Sequence, residues 1–104
     1  MVESFKIIYK ILKILEKAMD YSDFDTTLIS AEALGINKNR WALIIEMLIE
    51  DELITGASII KSIGGRGIKF SDVHLTIKGL QYLEENSLIK KIAQSAKGVL
   101  EVMK

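Results

Sequence analysis

The chain has 104 residues, with 14 basic and 14 acidic side chains, no cysteine and no proline, which is one domain's worth of sequence and rules out a disulfide framework or a thiolate metal site. At 49% hydrophobic and 27% charged residues, the composition is that of a globular domain with its own core, not of a disordered polyelectrolyte. Net charge is zero, so any preference for a charged partner depends on where the charges lie: residues 20–36 hold Asp20, Asp23, Asp25 and Glu32 with no base, whereas residues 61–79 hold Lys61, Arg66, Lys69 and Lys78 against Asp72 alone.

Residues 3–19 are predicted to form a helix. Phe5, Ile8, Leu12, Leu15 and Met19 recur at helical spacing, and Ile7, Ile11, Ile14 and Ala18 form a second stripe beside them. Lys6, Lys10, Lys13 and Lys17 mark the solvent face. These lysines interrupt the apolar run too often for a signal peptide or a membrane span, so a cytoplasmic protein is expected. The Asp- and Ser-rich stretch after this helix reads as a loop ending in a short β-favouring run, Thr26 to Ile29. Ser30 is placed to cap a very short helix that Gly35 stops, and Asn37 to cap a longer one reaching about Glu52. Short helix, turn and longer helix have the shape of a helix-turn-helix.

Leu53 to Ile63 reads as a strand, "GGRG" as a turn, and Ile68 to Thr76 as the returning strand, together a β-hairpin. Thr76 is placed to cap a further helix, and Asn86 and Ser87 to break it from a last one. The element order predicts an α+β fold: a winged helix-turn-helix with an extra C-terminal helix, spanning residues 1–104 as one domain.

"HLTIKGLQYLEENS", "IKKIAQSAKGVLEVM" and the N-terminal "YKILKILEKA" resemble the YjcQ-like family of small bacterial and phage proteins, over most of the chain. The resemblance implies a winged-helix-like α+β fold and no activity. DNA binding follows from winged helices in general, by analogy of fold.

The glycine stretch lacks the context of a phosphate-cradling loop. No helix follows "GGRGIKF" and no Ser or Thr follows Lys69. As a hairpin end it presents Lys61, Arg66 and Lys69, cations suited to phosphate contact from a wing, or simply a solubilising turn. A recognition helix places its first residues in the major groove. Here those are Lys38, Asn39 and Arg40, after the Asn37 cap, and Asn and Arg suit adenine and guanine edges. The same helix ends in Glu46, Glu50, Asp51 and Glu52, which would repel phosphate if they faced it.

The last helix shows an apolar seam, Ile89, Ile92, Ala96, Val99 and Met103, expected to serve as a dimer interface. Catalysis has little to work with. His74 is the one histidine and lacks partners for zinc, Glu84 and Glu85 point apart, and the Asp20–Asp23–Asp25 spacing is wrong for a calcium loop. Trp41, Met19 and Met47 read as core residues. The expectation is therefore a small DNA-binding regulator of bacterial or phage origin, not an enzyme, with no cofactor, metal, membrane or small-molecule substrate. Its partners are double-stranded DNA and a second copy or another protein. The alternative is an interaction or dimerisation module on the same scaffold without DNA binding.

Overall fold

The computed structural model describes residues 2–62 and 64–94. The elements run α1 (Val2–Ala18), a 3-10 turn (Thr26–Ile29), α2 (Ala31–Leu34), α3 (Lys38–Glu50), β1 (Ile54–Ser62), β2 (Gly65–Leu75) and α4 (Ile77–Gln94). Among the described residues it is an α+β arrangement of four α-helices and a two-stranded antiparallel hairpin, an order compatible with a winged helix.

Local chemistry sets the helix ends. Ser30 Oγ accepts from Ala33 N at 3.1 Å and opens α2. Gly35, in the left-handed region, closes it, with Gly35 N donating to Glu32 O and Ile36 N to Ala31 O. That is the paired bonding of a Schellman stop. Asn37 Oδ1 accepts from Arg40 N at 2.7 Å and opens α3 one residue after Ile36. The same stop recurs at the far end of α3 without a glycine. Leu53 N donates to Leu48 O and Glu52 N to Ile49 O, and Glu52 holds φ +60°.

This corner is bolted to the start of α4. Thr76 Oγ1 donates to Glu52 O and itself accepts from Gly79 N at 3.0 Å, so one hydroxyl caps α4 and ties it to the end of α3. Lys78 Nζ lies 2.8 Å from Glu52 Oε1. A Cβ at Gly79 would stand 2.2 Å from Leu53 O, so only glycine allows this approach.

The core is formed by Ile11, Leu12 and Leu15 of α1, Ile29 of the 3-10 turn, Ile44, Ile45 and Leu48 of α3, Ile54 of β1, Val73 and Leu75 of β2, and Leu83 of α4. Trp41 lies half-buried against it. Its indole Nε1 donates to Ile29 O at 2.8 Å, and its ring meets Phe70 edge-on with centroids 6.1 Å apart.

Three expectations are corrected. Thr26–Ile29 is a 3-10 turn and not a strand, because Asp25 caps it: Asp25 Oδ1 accepts from Thr27 N at 3.0 Å and from Thr27 Oγ1 at 2.7 Å. Asn86 and Ser87 do not break the chain. α4 runs through both, and Asn86 Nδ2 turns back to donate to Tyr82 O at 2.8 Å. Phe5 and Met19, the outer members of the α1 stripe, are exposed, as is Met47.

Candidate nucleic-acid interface

The first turn of α3 presents Lys38, Asn39 and Arg40, all exposed. The Asn37 cap fixes where this turn starts, and the Trp41 bonds fix how it faces. Two cations with no acid in a first turn oppose the positive end of the helix dipole. Such a local conflict is a mark of surfaces selected for something other than stability. Arg40 also reaches back, its Nη2 donating to Ser4 Oγ at 2.8 Å at the start of α1. Further along, the outward side of α3 is apolar: Leu43 and Met47 are 46% and 45% exposed, with Glu50 beyond them.

The hairpin register pairs Lys61 with Arg66, Ile59 with Ile68, Ser58 with Lys69 and Ala57 with Phe70. Ala57, Ile68 and Phe70 pack on the core, so Lys61, at even spacing from Ala57 and Ile59, continues the inner face past the end of the core. Lys69 lies on the opposite, outer face. Lys61 and Lys69 are both exposed. Arg66 is therefore not at the turn itself but is the cross-strand partner of Lys61, next to the Ser62–Gly65 pair that closes the hairpin. For Arg66 the structure describes the backbone alone.

The Trp41–Phe70 contact couples these two surfaces. Trp41 follows Arg40 and Phe70 follows Lys69, so one half-buried aromatic pair holds the first turn of α3 and the middle of β2 in a set relation. Trp41 is a core residue by its apolar surroundings in the sequence, but its contact with Phe70 of the hairpin joins positions far apart in the chain.

Glu52 is engaged with Lys78, and the hydrogen bond from Lys78, then its charge, holds the Glu52 carboxyl below the usual carboxylate range. His74 is exposed on β2, with Nδ1 at 2.8 Å from Asp72 O. Among the described residues no group of three His, Asp or Glu side chains is placed to hold a metal ion. No helix among them is long and apolar enough to cross a membrane. Of the expected dimer seam, Ile89 and Ile92 lie in α4 with side chains outside the described set, and Ala96, Val99 and Met103 lie outside the described residues altogether.

Fold and surface together define an α+β protein that sets two capped helices, α2 and α3, against a basic hairpin. The family model described as YjcQ protein matches residues 9–102, and the chain belongs to that family. No curated protein and no solved structure matches it.

Proposed function

We propose that this YjcQ-family chain is a small winged-helix DNA-binding protein acting as a transcriptional regulator of bacterial or phage origin. The observation that carries this reading is the pairing of two exposed basic surfaces through the Trp41–Phe70 contact: Lys38, Asn39 and Arg40 at the start of α3, and Lys61 and Lys69 on the hairpin. In this reading the first turn of α3 enters the major groove, where Asn39 and Arg40 meet base edges. Lys61, Arg66 and Lys69 meet phosphate. The two kinds of contact are separable. Lys61→Ala weakens binding evenly across duplex sequences and lowers the salt slope by about one. Arg40→Ala relaxes discrimination between sequences. If the double substitution of Arg40 and Arg66 to Ala leaves duplex affinity unchanged, the assignment fails.

A second reading is an interaction or dimerisation module on the same scaffold. The exposure of Leu43 and Met47 along α3 favours it, since a phosphate-facing helix gains little from them. In that case Leu43→Lys abolishes partner or self-association and leaves the fold intact. Ile92→Lys with Val99→Lys tests the last-helix seam in the same way.

A further inference from the structure

A shallow groove of about 380 Å³ lies where the end of α1 meets the loop and the 3-10 turn, lined by Ile14, Ala18, Tyr21, Phe24 and Leu28. Tyr21 and Leu28 are 73% and 52% exposed. Asp23 and Asp25 stand among its lining residues, with Lys17 as the cation beside them. The Thr27 hydroxyl, then the Thr27 amide, hold Asp25 ionised below the usual carboxylate range. The surrounding segment, residues 20–36, carries four acids and no base. The groove is an apolar floor under a negative rim.

The hairpin offers the complementary shape. Ile60 is 49% exposed on its outer face. The cross-strand partner of Ile60 is Gly67, so no side chain across the ladder covers it. Lys69, opposite Ser58, stands diagonally beside Ile60 on that same face. An uncovered apolar knob has no use in phosphate contact, and with the Lys69 ammonium beside it this face matches the groove in both polarity and charge.

We propose that the outer face of the hairpin of one copy docks in the α1–3-10 groove of a second copy, with Ile60 on the apolar floor and Lys69 toward Asp23 and Asp25. The contact is head-to-tail, so each copy keeps one free groove and one free hairpin and the association grows into open chains. A hairpin face buries less than the roughly 1,200 Å² of a stable complex, so the association is weak and concentration-dependent. Its rim charges make it salt-sensitive. This inference does not rest on the DNA reading, and its test contains no DNA.

Two surface variants give the test. Leu28→Glu spoils the groove and leaves the hairpin, and Ile60→Glu spoils the hairpin and leaves the groove. Circular dichroism melting first establishes that both retain the wild-type fold. Fluorescently labelled Leu28→Glu protein is then titrated with unlabelled Ile60→Glu protein and, separately, with unlabelled Leu28→Glu protein, and complex formation is read by sedimentation. The expected result is a one-to-one complex in the mixed titration, at least about tenfold tighter than in the self-titration, and lost at about 0.5 M salt. Equal association in both titrations points to another interface and overturns the proposal. So does no association in either at the concentrations where wild-type protein self-associates, and so does wild-type protein that stays monomeric throughout.

Discussion

Two single residues hold backbone that their surroundings leave no freedom to change. Gly56 has φ +80°, and a Cβ there would stand 2.3 Å from Asp72 O. It is the bend of the irregularity between Thr55 and Ala57, where Gly56 faces Ser71, Asp72 and Val73 across the ladder and Asp72 itself takes φ +61°. Gly56→Ala adds left-handed strain to a backbone clash, and a loss of about 3 kcal/mol is expected from urea unfolding. Glu52 is the other. Glu52→Gly removes the left-handed strain and Glu52→Ala keeps it, while both lose the exposed pair with Lys78. Glu52→Gly is therefore expected to melt higher than Glu52→Ala.

The same residue sets a pH dependence. The folded pKa of Glu52 is lowered by Lys78, and that of Asp25 by Thr27. A carboxyl lowered in the fold stabilises it above the ordinary carboxylate value, and that contribution is lost as pH falls through the lowered value. Stability therefore declines from about pH 5 downward. The decline is shallower in Glu52→Gln and in Asp25→Asn, as urea midpoints taken across that range would show. Both sites are exposed, so the effects are small, and the Glu52–Lys78 part shrinks with salt.

At the scale of elements, what can be read from the chain follows the range of the forces. The caps at Ser30, Asn37 and Thr76 and the stop at Gly35 were legible because each is decided within four residues. The 3-10 turn was misread because Thr26, Thr27 and Ile29 favour strands, and the Asp25 cap that overrides them is a choice between two local structures. The break at Asn86 was misread for the opposite reason: its amide finds Tyr82 O inside the helix, so it does not compete with it. Gly56 inside a strand pattern was a legible signal of a bulge, passed over. The pairing of Glu52 with Lys78 joins residues 26 apart, and no local pattern announces it. Thr76 tests the joint between α3 and α4. Thr76→Ser keeps both hydroxyl bonds, whereas Thr76→Ala loses the cap and the tie and is expected to cost about 1–2 kcal/mol.

The whole molecule divides its charge along the surface instead of carrying a net one. An acidic segment without a base runs from Asp20 to Ile36, and local basic clusters lie on the hairpin and the first turn of α3, beside the lysine stripe of α1 and the acids that end α3. The basic residues of the candidate interface were legible as types and positions. Their arrangement was not: the register moves Lys69 to the outer face and makes Arg66 the partner of Lys61, and the aromatic contact that couples helix to hairpin spans residues 41 and 70. On the winged-helix reading, a neutral protein with a local basic surface would bind duplex DNA through few phosphates, with modest affinity and a shallow salt slope.

That expectation leads to the most direct measurement, fluorescence anisotropy of a labelled duplex titrated with the protein at about 50 and 200 mM salt, for the wild type and for Lys38→Ala with Lys61→Ala. The winged-helix reading predicts binding at the lower salt that weakens at the higher, with a smaller slope in the double variant. Absence of binding at about 50 mM salt, or binding that the double variant leaves unchanged, would contradict it.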